Sequence, residues 1–446
     1  MPRLLARLLP CLLMVAPVLA VAAPAGSAPE LFGIRIEFLL FALVLLGIAL
    51  FHRHTFNVAL TGAIVIVLYK LIFTGFAAGP GFGGFLGHLA HEWVILINLL
   101  MMLLGFVILA RHFEKSHAPV MLPSYLPDNW LGGFVLLAMI FVLSSFLDNI
   151  AAAMIGGALA HELFRGRVHI GYLAAIVGAS NAGGAGSVIG DTTTLMMWVS
   201  GIAPADVIRA YVGAIIALLV FGIPAALQQH RHSPIIKDNP PDVRIDRVRV
   251  GIVVFILVMA VGVNLYVNIK MPELGERFPF FGVTVWTAIL LTMPLRAPDW
   301  QAMRASLKGS LFLVCLVLSA SLMPVDSLPA ASWETAFGLG AISAVFDNIP
   351  LTALAIEQGG YDWGVLAYAV GFGGSMMWFG SSAGVALTNL FPEGKSALAW
   401  ARHGWHVALG FVLGFLALLW LLGWHPHEPE THAAVTAVAV SAVQTG

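Results

Sequence analysis

The sequence predicts an all-α polytopic membrane protein made of two inverted-topology repeats, each with a re-entrant hairpin and a broken helix. Three observations predict it. The 446-residue chain is 59% hydrophobic and 10% charged, and apolar runs recur from Leu31 to Trp424, many near the ~20 residues that cross a bilayer. An Asp-Asn pair inside an apolar run occurs twice, and a glycine-rich polar break follows each pair. Lys and Arg fall in loops whose sidedness is consistent if each Asp-Asn run enters and leaves on one side, as a re-entrant hairpin or as two short crossings.

The opening MPRLLARLLPCLLMVAPVLAVAAPAG has Arg3 and Arg7, an apolar stretch and small residues at Ala20 to Ala23. That pattern predicts a signal peptide over 1–23, with an uncleaved first helix as the alternative. A first half, 31–227, should carry spans at 31–51, 57–77, 93–110 and 203–227. A cytoplasmic linker, 228–250, leads to a second half, 251–424, with spans at 251–268, 279–295, 309–324 and 404–424. Between these spans lie the apolar runs 131–164 and 335–357 around the Asp-Asn pairs, and the interrupted runs 170–201 and 364–391. The end, 425–446, reads as a periplasmic tail with no assigned role.

Short loops rich in Lys and Arg stay cytoplasmic. The clusters are Arg53, Arg111 with Lys115, Arg165 with Arg167, the 228–250 loop, and Arg296 with Arg304 and Lys308. A single crossing over 131–164 would place Arg165 and Arg167 outside and invert every later side. A hairpin entered and left from the cytoplasm restores the rule. The same treatment of 335–357, entered from outside, leaves Glu357 and Asp362 outside and Lys395 and Arg402 inside. Lys70, Arg35 and Arg209 lie in or near spans and are expected to snorkel to an interface.

Ser144, Asp148, Asn149 and Ile150 match Ser343, Asp347, Asn348 and Ile349 at one offset. Gly183, Gly184 and Gly190 match Gly373, Gly374 and Gly380 at a second, shorter one, so one loop differs in length between two copies of a unit. Opposed copies of this kind are an architecture of secondary transporters, in which one repeat is expected to rock against the other. The stretches NAGGAGSVIGDTTT (Asn181 to Thr194) and GFGGSMMWFGSSAG (Gly371 to Gly384) suit non-helical backbone buried in protein or lining a wet cavity. Close helix packing through small residues is the plainer use of such glycines, but it leaves Asp191 unexplained.

At these motifs the chain resembles the ion transporter superfamily, most closely the NhaD type of sodium/proton antiporter in the ArsB/NhaD group. SSFLDNIAAAM and NAGGAGSVIGDTTTLMMW are similar to the first-half signature, SAVFDNIPLTA and GFGGSMMWFGSSAGVA to the second, over roughly 85–424. The sequence departs at Ala151, Ala152 and Ala153, where the family tends to have threonines, and at Gly186 and Val188, where it often has an aromatic residue and a proline. The resemblance implies a Na+(Li+)/H+ antiporter of the cell inner membrane, multi-pass, with no cofactor beyond the transported Na+ and H+. Asp191 and Asp347 would be the main cation and proton carriers, with Asp148 next. Asn149, Asn348, Asn181, Thr192, Ser381 and Ser382 would be neutral ligands, and Glu92, at the start of the 93–110 span, a proton-path residue. A helix N-terminal acid is the equal alternative for Glu92. Ser381 stands in the place of Asp191, so the copies are not chemically equal.

The partners implied are the lipid bilayer, a small inorganic ion and a second copy in a homodimer. A formal charge of −1 shows no footprint for nucleic acid, and Cys11 and Cys315 offer neither disulfide framework nor metal cluster. The rival transport reading is a sodium-coupled carboxylate (citrate-like) or oxyanion (arsenite-like) carrier. His88, His91, His161 and His406 would supply its positive charge, although each reads first as a polar helix-end residue. Aspartates at both hairpins favour a cation. An intramembrane aspartyl protease is a distant alternative, resting on Tyr361-Asp362 and Gly190-Asp191. Their order is reversed, and no HExxH motif is present, so the chain is not read as an enzyme.

Overall fold

A computed structural model describes residues 29–31, 33–51, 54–118, 126–236, 244–271 and 277–427. The expected signal peptide and the tail beyond 427 lie outside the described residues. A two-residue ribbon, β1 (Glu30–Leu31) against β2 (Ile34–Arg35), precedes α1 (Ile36–Leu50), α2 (Thr55–Tyr69) with a π-turn continuing to Thr74, and α3 (Gly81–Glu114). The first Asp-Asn run folds as α4 (Trp130–Ser144) and α5 (Asn149–Leu163), and the first glycine-rich run as α6 (Ile170–Ala185) and α7 (Thr192–Val199). The short α8 (Pro204–Val207) leads into α9 (Ala210–His232). The second half repeats the plan. It has α10 (Arg247–Lys270), α11 (Phe280–Thr292), α12 (Trp300–Ser321), the hairpin α13 (Trp333–Ser343) and α14 (Asn348–Gln358), and the broken pair α15 (Trp363–Gly373) and α16 (Ser382–Leu390). It ends in α17 (Ala397–His403) and α18 (Trp405–Leu422).

Five described helices are long and apolar enough to cross a membrane: Thr55–Thr74, Gly81–Glu114, Pro204–His232, Trp300–Ser321 and Trp405–Leu422. Each hairpin starts and ends at one end of the molecule. The Ile236 N–H donates to Leu163 O at the end of α5, and a Cβ on Gly132, near the start of α4, would touch Ile235. At the other hairpin, Gln358 closes α14 by donating to Pro329 O ahead of α13 (2.6 Å). The loops meet in two sets. Lys115 pairs with Asp299 (2.7 Å), and Asp246 with Arg296 (2.9 Å). By contrast, Arg209, Asp362 and His425 meet around α15.

Helix packing does not divide the molecule at the midpoint of the sequence. The helices form two groups that each draw on both halves of the sequence. In a framework, α12 packs on α2 and α3, and α11 on α3 and α10; in a core, α9 packs on α18, α6 and α4, α13 on α15, and α16 on α5. Hydrophobic runs report depth in the bilayer, not which helix faces which.

Two local expectations also change. Lys70 does not snorkel: it is buried, and its Nζ donates to Leu322 O (2.8 Å), satisfying a carbonyl at the C-terminus of α12 that has no intrahelical partner. Glu92 is not a helix N-terminal acid, because α3 begins at Gly81 and places it inside the helix. The stretch 81–92 is too mixed to read as a span, yet it is held by His88, whose Nε2 lies 3.0 Å from Ser321 Oγ of α12. Lys70→Met, which keeps the apolar stem, should lower the apparent Tm of detergent-solubilised protein. A hydrogen bond to a charged group is worth roughly 1.5–3 kcal/mol. An unchanged melting curve would show that the contact does not anchor α12.

Candidate functional site

Four of the short helices begin inside the molecule, and each is capped by the side chain of the residue just before it. Asp148 accepts from Ile150 N (3.2 Å), Asp347 from Ile349 N (3.2 Å) and Asp191 from Thr193 N (3.2 Å), while Ser381 accepts from Gly384 N (3.3 Å). Ser381 therefore does occupy the place of Asp191, at the start of α16 as Asp191 is at the start of α7. Capping commits one oxygen of each carboxylate. The second Asp347 oxygen accepts from Ser382 Oγ (3.2 Å), whereas Asp191 Oδ2 is buried without a hydrogen-bond partner.

The two copies repeat each other's contacts. Ser144 donates to Ser180 O and Ser343 to Val370 O, each tying the end of a hairpin's first helix to the broken helix behind it. A Cβ on Gly183 would lie 2.0 Å from Phe141 O, and one on Gly373 2.2 Å from Gly340 O. Gly190 and Gly380 press likewise on the carbonyls of Ser144 and Ala344, and Gly184 and Gly374 on those of Gly190 and Gly380. These glycines allow the broken helices to lie against hairpin backbone, so close packing is part of their role.

A cavity of about 540 Å³ lies between the framework and the hairpin tips. Asp148, Asn149, Asp191, Thr192, Asn348 and Ser382 line it on the core side, and Leu103, Phe106, Phe312 and Leu313 on the framework side. It reaches Arg111 and Glu114 at the C-terminal end of α3. Asp191 and Asp148 thus face one space, to which the second hairpin tip contributes Asn348. Among the described residues, however, no group of three or more His, Cys, Asp or Glu is arranged to hold a metal ion. Behind the cavity, Asn181 accepts from Asn149 Nδ2 (3.1 Å) and donates to Ser375 Oγ (3.0 Å) and Ser381 Oγ (3.1 Å), linking the copies. Ser375 was missed because it stands outside the repeated positions. Its signal was a hydroxyl directly after Gly373-Gly374.

The departures from the family pattern matter less than the sequence suggests. Of the three alanines, only Ala151 lines the cavity, while Ala152 and Ala153 are fully buried in packing. Gly186 leaves room for Tyr211, whose ring a Cβ there would meet at 2.5 Å. Glu92 is buried but does not line the cavity. Asp362, the second acid of the protease alternative, caps α15 and pairs with Arg209 (3.2 Å).

Gly183→Ala and Gly373→Ala should each lower the apparent Tm markedly, since backbone must move to admit the methyl group. Gly338→Ala in α13 meets nothing within 4 Å and should be neutral or stabilising, by up to about 1 kcal/mol of helix propensity. Equal melting temperatures for all three variants would contradict the packing described.

No family model matches the chain. It is 27% identical over 344 residues to sodium/proton antiporter 1 of Arabidopsis thaliana, covering 69% of this chain and 58% of that protein. It is 28% identical over 298 residues to sodium/proton antiporter 2 of the same plant, covering 58% and 69%. It is 26% identical over 342 residues to the Na(+)/H(+) antiporter NhaD of Alkalimonas amylolytica, covering 66% and 69%. The chain thus spans 58% to 69% of the length of these relatives. These plant and bacterial relatives are all named sodium/proton antiporters, and the chain is a homologue of them.

Proposed function

We propose that the protein is a secondary active transporter of the cell inner membrane that exchanges Na+ or Li+ for H+. The observation that carries this reading is Asp191: a buried carboxylate with one oxygen unpartnered, on a cavity shared with Asp148 and the second hairpin tip. A charge at such depth costs at least ~2.5 kcal/mol on insertion scales, so these groups need protons, cations or water. Asp191 and Asp347 carry either protons or the cation, with Asp148 as the third acid. Thr192, Asn149, Asn348 and Ser382 complete an oxygen-rich shell from the cavity side, and Asn181 and Ser381 hold it from behind. Hard oxygen donors of this kind suit an alkali cation, and one or two carboxylates with neutral donors are enough for a single charge. Glu92 belongs to the proton path on the far side of the tips. The names of the relatives support sodium/proton exchange over the carboxylate and oxyanion alternatives.

The 111–117 and 163–169 loops and residues 229–236 are taken as cytoplasmic, because Arg111, Lys115, Arg165, Arg167 and Arg231 gather there. The cavity then opens inward. The copies run in opposite directions, and exchange moves the core against the framework so that the tips face alternate sides. A homodimer in the membrane is the proposed assembly.

In everted vesicles, wild-type protein should relieve a preformed pH gradient on addition of Na+ or Li+, read as dequenching of a pH-gradient dye. Asp191→Asn and Asp347→Asn should lose at least tenfold of that signal at equal membrane content. Undiminished exchange in Asp347→Asn would remove the site assignment. A wild type silent to Na+, Li+ and K+ between about pH 6 and 9 that accumulated a labelled dicarboxylate would replace the antiport reading.

A further inference from the structure

The offset that pairs Gly183 with Gly373 also pairs Asn181 with Gly371, Ala185 with Ser375, Asp191 with Ser381 and Thr193 with Ala383. Each broken helix lays its first segment against the second segment of the other copy, α6 on α16 and α15 on α7. The four pairs therefore build two matched corners, one around Ser381 and one around Asp191. At Ser381 the corner is filled by the buried side chain of Asn181, which donates to Ser375 Oγ (3.0 Å) and Ser381 Oγ (3.1 Å). Ser381 Oγ also accepts from Gly384 N, and Ala383 brings no hydroxyl. At Asp191 the residue in the place of Asn181 is Gly371, which has no side chain. A Cβ there would lie 3.2 Å from Ala185 Cβ and 3.5 Å from Asp191 Oδ2. That oxygen is buried without a hydrogen-bond partner, and so is Thr193 Oγ1 on the same first turn of α7.

Packing does not account for the glycine at 371. Gly183 and Gly373 face backbone carbonyls at 2.0 and 2.2 Å, which no side chain would tolerate, whereas the atoms nearest Gly371 belong to side chains and stand further off. Gly371 also lies inside α15, where glycine is less favourable than alanine. Nor does folding account for the two open oxygens, because a buried polar atom costs free energy unless something bonds it. The second copy leaves no such oxygen at the matching positions: Ser381 is bonded twice, and both Asp347 oxygens accept, from Ile349 N and Ser382 Oγ.

We propose that the chain binds a single alkali cation, at the Asp191 corner, where Thr193 and Gly371 fit it, and that Asn181 fills the matching corner so that no second ion binds there. Asp191 supplies the charge and Thr193 a neutral oxygen, while Gly371 leaves the room that Asn181 takes up in the other copy. Asp191 also lines the cavity, with Asp148 and Thr192 beside it, so the ion reaches the corner from that side. Size discrimination then lies with Gly371, because the room beside a ligand oxygen decides which cation fits. The proposal rests on the reading of Asp191 as a cation carrier, but the place and number of bound ions can be measured without exchange.

Equilibrium binding of radioactive sodium to the detergent-solubilised full chain should saturate at one ion per chain. Thr193→Val removes only a hydroxyl that bonds nothing in the fold, so the Tm without Na+ should stay or rise. The same variant should raise the Na+ Kd about tenfold, which a merely structural hydroxyl would not do. Gly371→Ala should weaken Na+ more than Li+, moving the ratio of their Kd values roughly threefold toward the smaller ion. Gly371→Asn, which copies the filled corner, should abolish binding of both; if it does not fold, the other two variants carry the test. Saturation at two ions per chain would overturn the proposal. So would Kd values unmoved in Thr193→Val and Gly371→Ala, or a folded wild type that binds neither ion. If such a wild type still exchanged Na+ for H+, the corner would fall and the antiport reading would stand. One bound ion with the stated shifts, in a wild type that exchanges nothing, would support the corner and overturn the antiport reading instead.

Discussion

A helix that starts inside an apolar layer presents N–H groups that no water satisfies, and the structure is organised around meeting that demand. The starts of α5, α7, α14 and α16 take a side chain from the residue just before each helix. Three of those four residues are aspartates, which explains why ionisable groups occur in such apolar sequence. A serine suffices at the fourth, however, so capping alone does not require an acid. The difference between Asp191 and Ser381 at equivalent positions isolates what capping leaves over: one carboxylate oxygen, buried and unpartnered.

The same comparison explains the unequal residues after the two Asp-Asn pairs. Thr352, four residues after Asn348, is buried and donates to Asn348 O (2.9 Å), so its hydroxyl serves its own helix. Ala152 and Ala153 face protein. The half rich in alanine has therefore given up at most one cavity position, Ala151. On the proposed function, selectivity between cations depends more on Thr192, Ser382 and the amides than on the segment where sequence comparison places the loss.

Much of this site was legible in the sequence. The Asp-Asn pairs stand at hairpin tips, the glycine-rich runs are broken helices, and the glycines paired by offset make the same contacts in both copies. These features were readable because each depends on a short segment whose chemistry conflicts with its surroundings. What was not readable depends on partners distant in sequence. Lys70 meets Leu322, Asn181 meets Ser375, and Tyr211 fills the space beside Gly186. Hydropathy also began the 93–110 span too late, because His88 and Glu92, in the helix that starts at Gly81, are buried by protein and not by lipid.

On the proposed function, the interleaving of the halves has a mechanical consequence for alternating access. Framework hydrogen bonds join framework helices: Lys70 and His88 to the end of α12, and Asn98 to Gly282 of α11 (3.0 Å). Tip hydrogen bonds join the tips, through Asn149, Asn181, Ser375, Ser381, Ser382 and Asp347. Between the two groups the cavity wall of α3 and α12 is apolar near the tips, at Leu103, Phe106, Phe312 and Leu313, with Ser306, Ser310, Arg111 and Glu114 as its polar members, and Trp198 of α7 stacks on Phe281 of α11 at 5.4 Å. Directional bonds resist displacement by a fraction of an ångström, whereas apolar surfaces exchange one set of contacts for another with little net loss. The tips are therefore bound to one another by directional bonds, and the surface they face at Leu103, Phe106, Phe312 and Leu313 is apolar. Sliding along that surface moves Asp148, Asp191 and Asp347 together, which a carrier needs if the same carboxylates are to meet both sides.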